Sequence, residues 1–277
     1  MKNSKHLFSV LALLFCLVQA ASAQTYRILI SNDDGIESPL LKTLSEEIAK
    51  LPNVEVIISA PAENQSGSSQ STDGRTLEIE KISKDGRFFG YAVSGRPADA
   101  VQFGIRVLGK DNPFDLVISG INRGANVGDI SHQSGTVGAA MEALLYNVPA
   151  IAVSQEVRGV NTQATASFVS QLVSKYQKDG APKGVTLSIN VPAGELKGVA
   201  VRPMGDAYLD MGNYNLKSET GNKMVYTQRL GLSRSKNEGS DTYAYQQGYI
   251  TITPLKFDWT AHEMIETITS WDLKMKK

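Results

Sequence analysis

The stretch Tyr26-Arg27-Ile28-Leu29-Ile30-Ser31-Asn32-Asp33-Asp34-Gly35 decides the fold. Its apolar first half predicts a buried strand, and the polar residues after it predict that the strand ends in a turn. The adjacent carboxylates of Asp33 and Asp34 repel each other there, so they either raise one another's pKa or recruit a cation. Oxygen ligands favour a hard ion such as Mg²⁺, Mn²⁺ or Ca²⁺. Ordinary turn chemistry also explains Asp-Asp-Gly, so the stretch alone leaves both interpretations open.

The first 23 residues predict a secretory signal peptide. A basic start precedes an apolar stretch over residues 7–20, and Ala21-Ser22-Ala23 fits the cleavage pattern. We expect the mature chain to begin at Gln24 and to be exported, either to the periplasm or out of the cell. The single cysteine, Cys16, lies in this leader, so the mature protein would contain no disulfide, thiolate metal site or cysteine nucleophile. Lys and Arg number 28, as do Asp and Glu, so charge gives no evidence of a nucleic-acid surface.

Short apolar runs alternate with amphipathic stretches, which is typical of a mostly parallel sheet between two helix layers. Strands are predicted at 27–31, 54–59, 89–94, 116–119, 150–153, 185–191 and 249–254, and helices at 38–51, 98–108, 136–146, 162–178 and 261–271. The expected fold is a three-layer, Rossmann-like α/β fold, with residues 24–277 as one domain.

The region 205–248 departs from this pattern. It is rich in Gly, Asn, Ser, Tyr and Lys, has little helical periodicity, and contains a predicted strand at 224–229. We predict an extended C-terminal β-hairpin here. Because such a hairpin cannot bury its own apolar face, it either packs on another subunit or is a flexible insertion.

Three polar loops follow predicted strands. They span residues 32–35, 61–71 and 120–135. Ligands of open parallel sheets bind at the carboxyl ends of the strands, so the three loops are expected to converge. In the third loop, Asn122 and Asn126 offer carbonyl oxygens to a hard cation. Ser134-Gly135-Thr136 opens a helix whose N-terminus is suited both to capping and to binding phosphate.

These segments together resemble the SurE family of survival proteins. The resemblance rests on residues 32–35, on Ala60-Pro61 with Ser66-Gly67, and on 94–99, 119–128, 134–137 and 248–255. Motif order and spacing make it specific over residues 26–261, nearly all of the mature chain. The family comprises metal-dependent 5′/3′-nucleotidases, also described as acid phosphatases.

The resemblance implies a function and a site. The metal ligands would be Asp33, Asp34, Ser66 and Asn122, and the cation would be Mg²⁺ or Mn²⁺. The substrates would be nucleoside 5′- or 3′-monophosphates, and the chain would form homodimers or tetramers through its C-terminal segment.

This sequence departs from the family pattern at four places. Leu40 replaces a usual glycine, Ile130 and Gln133 replace acidic and tyrosine residues, and Tyr243 replaces a histidine found in some relatives. Because of the changes before Ser134, the resemblance does not determine pocket shape or substrate choice, whereas the expected metal ligands are in place.

Metal-assisted phosphomonoester hydrolysis is the mechanism we expect. Asp33 and Asp34 are the candidate catalytic residues, and one of them, with Asp34 favoured, would orient or deprotonate the attacking water. The phosphate and substrate contacts are predicted at Asn32, Asn126, Ser134, Gly135 and Thr136. His132 is a further candidate for contact with substrate.

Two rival functions remain open at this point. One is an aspartyl-phosphate phosphatase with Asp33 as the nucleophile, although Gly35 stands where that chemistry needs a second carboxylate. The other is an exported protein that binds a phosphorylated ligand without turnover. Adjacent carboxylates disfavour this second alternative, because they repel phosphate unless a metal lies between.

Overall fold

A computed structural model describes residues 25–74, 76–206, 208–210 and 212–275. The predicted signal peptide, with Cys16, lies outside these residues, as does the expected first mature residue, Gln24. No helix in the described ranges combines the length and the apolar character needed to cross a membrane.

The described chain contains thirteen strands and six α-helices, which alternate over its first two thirds. They are β1 (Tyr26–Ser31), α1 (Pro39–Ile48), β2 (Val54–Pro61), β3 (Ile79–Lys84), β4 (Arg87–Val93), α2 (Pro97–Phe103), β5 (Leu116–Arg123), α3 (Gly135–Leu145), β6 (Ala150–Gln155), α4 (Thr162–Asp179), β7 (Val185–Val191), β8 (Val199–Val201), β9 (Leu209–Asp210), β10 (Tyr214–Thr220), β11 (Lys223–Gln228), β12 (Gly231–Leu232), α5 (Asp241–Gln246), β13 (Ile250–Lys256) and α6 (Ile265–Thr269).

Nine of these strands form one sheet in the order β3-β4-β2-β1-β5-β6-β7-β13-β8. The six from β4 to β7 are parallel, whereas β3 and β13 pair antiparallel with their neighbours β4 and β7. The chain moves outward from β1 to β2 and β4, then returns to the other side of β1 to form β5. The sheet therefore has its topological switch point between β1 and β5, where ligands of such folds bind.

Each face of the sheet carries its own apolar core. On one face, α1 and α4 bury residues such as Leu41, Leu44 and Val169 against Ile28 and other strand residues. On the other face, α2 and α3 bury a second set, which includes Val101, Val137, Ala140, Leu29 and Val117. The alternation of side chains along β1 sends Ile28 to the first core and Leu29 to the second. The predicted three-layer, mostly parallel α/β fold is confirmed.

The structure corrects several predicted elements. The sequence analysis missed β3 and also missed α5, a short helix within the region predicted as hairpin. The helix predicted at 98–108 ends at Phe103 and continues as a π-helical turn over Gly104–Leu108. The helix predicted at 261–271 is shorter, a 3₁₀ turn at His262–Met264 followed by α6.

The predicted hairpin is present as the antiparallel pair β10–β11. Its apolar side chains are exposed, with Tyr214 at 66% and Met224 at 56%. The ribbon pairs with no other strand among the described residues. Its use in oligomerisation, and the single-domain boundary at 24–277, stay predictions.

Candidate functional site

The turn after β1 is fixed by Asn32 and Gly35. The Asn32 Oδ1 atom accepts from the Gly35 backbone N–H at 3.2 Å, and its Nδ2 donates to the Gly35 carbonyl at 2.9 Å. Gly35 has a φ of +96°, and a Cβ there would lie 3.0 Å from the Glu63 carbonyl carbon. This position therefore requires glycine. Asn32 is predicted to bind substrate, and in the structure its side-chain amide forms the two hydrogen bonds that close this turn.

Asp33 is held against the first turn of α3. Asp33 is only 3% exposed, and its Oδ1 accepts a hydrogen bond from Thr136 Oγ1 at 2.5 Å. A Cβ on Gly135 would lie 2.9 Å from the Asp33 Cβ and 2.6 Å from Ser68 Oγ. Glycine at position 135 thus lets the helix, the carboxylate and the second loop approach one another.

The electrostatics of Asp33 are those of a buried anion. Burial raises the pKa of the Asp33 carboxyl from 3.8 to about 6, the hydrogen bond from Thr136 opposes this increase, and the neighbouring charge of Asp34 adds to it. Within the described residues, neither aspartate forms an ion pair. Asp33 is therefore a buried carboxylate with no paired cationic side chain in the described ranges, an environment that favours a bound cation.

Asp34 turns towards different neighbours. The backbone N–H of Arg123 at the end of β5 donates to Asp34 Oδ2 at 3.2 Å, and Asn64 Nδ2 donates to Oδ1 at 3.4 Å. Burial raises the pKa of the Asp34 carboxyl, and the Arg123 backbone and charge oppose that change. The two aspartates thus link β1 to two places, Asp33 to α3 and Asp34 to β5.

The second loop is anchored at several points. Gln65 donates its backbone N–H to the Asp33 carbonyl at 2.7 Å, which brings the adjacent Ser66 to the same edge of the sheet. Further along, Ser69 Oγ donates to the His132 carbonyl at 2.7 Å. Gln70 Nε2 donates to the buried Glu142 carboxylate at 2.8 Å. These contacts oppose the flexible-linker interpretation that the loop's composition would allow.

Glu142 was missed by sequence reasoning. It lies on α3, is 3% exposed, and accepts from Gln70 and from Gln102 Nε2, each at 2.8 Å. A single acidic residue in an apolar helix was the available signal. Through these two hydrogen bonds Glu142 connects the second loop and α2 to α3.

In the third loop, Asn122 lies opposite Ser154 in the β5–β6 register. Its Nδ2 donates to the Gly124 carbonyl at 2.8 Å, which directs the amide nitrogen into the loop. Asn126 is buried and donates from Nδ2 to Ser154 Oγ at 2.8 Å, while its backbone N–H donates to Asn190 Oδ1 at 2.7 Å. The predicted phosphate ligand Asn126 thus also holds the third loop to β6 and β7.

Asp241, at the start of α5, anchors the third loop to the C-terminal part of the chain. This 2% exposed carboxylate accepts from the Gly128 backbone N–H at 3.1 Å, the Gly205 N–H at 2.8 Å and Thr253 Oγ1 at 3.1 Å. It therefore has a structural role that the sequence analysis did not anticipate.

Ser134 acts as the N-cap of α3. Its Oγ accepts from the Val137 backbone N–H at 3.1 Å. The backbone N–H of Thr136 faces the Asp33 carboxylate, where it helps to lower the pKa of that group. The first turn of α3 therefore lies at the same edge as Asp33, and helix N-termini favour anions. The His132 ring packs edge-on against Trp259, with 5.7 Å between ring centroids.

The donor set fits a hard cation. Described residues contain no group of three or more His, Cys, Asp or Glu suited to a metal, so the available donors at this edge are two carboxylates together with amide and hydroxyl oxygens. Ser68 Oγ is buried and has no hydrogen-bond partner among the described residues, although it lies beside Gly135 and the Asp33 carboxylate. An oxygen donor left unpaired beside a buried anion is what an oxygen-coordinated ion such as Mg²⁺ or Mn²⁺ would use.

Fold and site together define a doubly wound α/β protein with paired carboxylates and a helix N-terminus at its switch point. The family described as "Survival protein SurE" matches residues 28–211. The chain is 35% identical over 256 residues to 5′-nucleotidase SurE of Thermoanaerobacter sp. (strain X514), covering 90% of this chain and 100% of that protein. It is 40% identical over 242 residues to 5′-nucleotidase SurE of Clostridium botulinum (strain Alaska E43 / Type E3), covering 84% and 94%.

A solved structure agrees. The crystal structure of SurE protein from Aquifex aeolicus superposes with a TM-score of 0.75 at 30% identity, covering 89% of this chain and 100% of that one. The chain therefore belongs to the SurE family, and the resemblance inferred from its motifs is confirmed.

Proposed function

We propose that this protein is a metal-dependent phosphomonoesterase that hydrolyses nucleoside 5′-monophosphates, and also 3′-monophosphates, to nucleoside and phosphate. The observation that carries this proposal is the buried Asp33 carboxylate, without an ion pair in the described chain, beside the N-terminus of α3. Membership of a family whose relatives are named 5′-nucleotidases supports the choice of substrate.

Asp33, Asp34, Ser66 and Asn122 would hold the cation, Mg²⁺ or Mn²⁺. When bound, it would neutralise phosphate charge and lower the pKa of water. Asp34, half-buried and held by the Arg123 N–H, would orient the attacking water and accept its proton. Thr136 fixes the rotamer of Asp33 through Oδ1.

The first turn of α3 would hold the phosphate. Gly135 and Thr136 lie at a helix N-terminus, where the helix dipole favours an anion. The Gly135 N–H would face the phosphate, and Thr136 would act beside the Asp33 carboxylate that it contacts. Ser134 keeps that turn in place as N-cap, and Asn126 keeps the third loop docked on β6 and β7. The chain would thus place the phosphate-binding turn of α3 directly beside the residues that hold the cation.

Phosphate release from nucleoside 5′- and 3′-monophosphates tests the proposal. Chelator-stripped protein is compared with protein given Mn²⁺ or Mg²⁺, alongside Asp33→Asn. The control is Asp129→Asn, which removes an exposed carboxylate near the site. Activity that returns with metal, persists in the control and is lost in Asp33→Asn supports the proposal. Tight nucleotide binding without release under any metal would favour the binding-protein alternative.

Export and assembly are further proposals. The pattern of residues 1–23 supports export, and N-terminal sequencing of protein recovered outside the cytoplasm should begin at Gln24. The exposed apolar ribbon β10–β11 supports a homodimer or tetramer. Light scattering of a variant lacking residues 214–228 should show a smaller particle, and an unchanged mass would exclude the ribbon as the interface.

A further inference from the structure

A second cavity lies at the same edge of the sheet, beside the candidate site. Its volume is about 540 Å³, within the range of small-molecule sites. Its walls come from the ends of β6 and β7, from residues 232–235 and from α5. Nothing in the proposed mechanism uses it.

Strand register places this cavity close to the proposed metal ligand Asn122. Asn122 pairs with Ser154 on β6, and Glu156 on the cavity wall lies two residues further along, its N–H bonded to the Val191 carbonyl at 2.9 Å. With strands about 4.8 Å apart and a rise of about 3.3 Å per residue, the Cα atoms of Asn122 and Glu156 are about 8 Å apart. A nucleotide whose phosphate binds at a cation held by Asn122 would extend its nucleoside towards this cavity.

The cavity wall is built around Glu156. Its Oε2 accepts from the hydroxyls of Tyr208 and Tyr245, each at 3.0 Å, and its Oε1 accepts from the Val157 N–H at 2.9 Å. The two tyrosine rings pack edge to face, 5.3 Å apart. A carboxylate has about four acceptor positions, so this one keeps capacity for a further donor while its rotamer is fixed.

Charge distinguishes this cavity from the proposed phosphate site at the first turn of α3. Glu156 is the only anion and Arg234, at the exposed rim, the only cation among the described residues that line it. The wall therefore offers hydrogen-bond acceptors and aromatic surface, which suit a neutral hydroxyl- or amine-bearing ring. A second phosphate would meet the half-buried Glu156 carboxylate at short range.

We propose that this cavity binds the nucleoside part of the substrate, with Glu156 accepting a hydrogen bond from a sugar hydroxyl or base amine and disfavouring a second phosphate. This inference rests on the proposed function. It predicts that Glu156, which lies outside the proposed metal and phosphate sites, makes the protein prefer monophosphates to diphosphates.

The experiment compares three substrates under saturating Mn²⁺: a nucleoside 5′-monophosphate, the matching 5′-diphosphate, and p-nitrophenyl phosphate, which has no nucleoside. In Glu156→Gln, kcat/KM for the monophosphate should fall about tenfold relative to p-nitrophenyl phosphate, the loss expected for a hydrogen bond to a charged group. The diphosphate-to-monophosphate ratio should rise, because the like-charge repulsion is gone. Comparing ribo- with 2′-deoxyribonucleotides, and amino with oxo bases, identifies the donor.

Glu195→Gln is the matched control, since Glu195 is exposed and outside the cavity. Should Glu156→Gln fail to fold, Tyr208→Phe decides, because it keeps the ring and loosens the carboxylate. Unchanged substrate ratios, with all three substrates hydrolysed, overturn the inference alone. Absence of release from every substrate by the unsubstituted protein refutes the proposed function and the inference with it.

Discussion

Asp33→Asn should stabilise the metal-free protein at alkaline pH. Burial raises the pKa of Asp33 from 3.8 to about 6, so the folded state retains the proton more strongly than the unfolded state. The carboxyl's contribution to stability is therefore complete below pH 4 and is lost as the pH rises through 6. Since one pKa unit corresponds to about 1.4 kcal/mol, the loss is about 3 kcal/mol.

The asparagine variant avoids that loss while keeping an oxygen acceptor for Thr136. In chelator-treated protein at pH 8 it should exceed the unsubstituted chain in unfolding free energy by about 3 kcal/mol, and at pH 4 the difference should shrink to less than about 1 kcal/mol. Guanidinium titration followed by circular dichroism at several pH values measures this. Asp129→Asn is the control and should show no such pH dependence, because Asp129 is exposed. Adding Mn²⁺ should reverse the order of the two stabilities at pH 8. If the variant is less stable at both pH values, the reasoning from burial is wrong.

Three further substitutions probe the surrounding framework. Gly135→Ala should abolish phosphate release and cost about 1–3 kcal/mol in thermal unfolding, because its Cβ would lie 2.6 Å from Ser68 Oγ; full activity would contradict this packing. Glu142→Ala should lower the free energy of unfolding by about 2–5 kcal/mol, since two glutamine amides lose their acceptor. Its KM should also exceed that of Glu142→Gln, and a KM no higher than that would argue that Glu142 does not anchor the second loop. Asp241→Ala should lower the free energy of unfolding by about 3 kcal/mol or more in a denaturant titration, because three backbone N–H groups and the Thr253 hydroxyl lose their acceptor. A loss below about 1 kcal/mol would contradict its structural role.

The parallel strands were predictable because buried strands leave apolar runs bounded by turn residues. The strand predicted at 185–191 matches β7 at both ends. By contrast, β3 lacks that signal, since half of its sequence Ile79-Glu80-Lys81-Ile82-Ser83-Lys84 is charged and it lies at the exposed edge of the sheet. The following Asp85-Gly86, with φ values of +53° and +73°, is a hairpin turn that sequence reading could have used.

Convergence of the three loops was predictable from topology, but the pairings within them were not. That Asp33 meets Thr136, and that Asn126 meets Ser154 and Asn190, depends on strand register. Register follows from packing over the whole sheet. Buried carboxylates such as Glu142 likewise find their partners only in three dimensions. Single-sequence reading therefore identifies which residues carry chemistry more readily than which residues hold them in place.

The order of assembly of the switch point has a kinetic consequence. Residues of the candidate site come from widely separated segments, and β5 reaches β1 only after the chain has passed through β2, β4 and α2. Contacts of such large sequence separation are costly in loop entropy and tend to form late in folding. A cation that recognises only the finished site should leave the refolding rate unchanged and slow unfolding. Metal would then determine how long the folded protein lasts, and not how fast it forms.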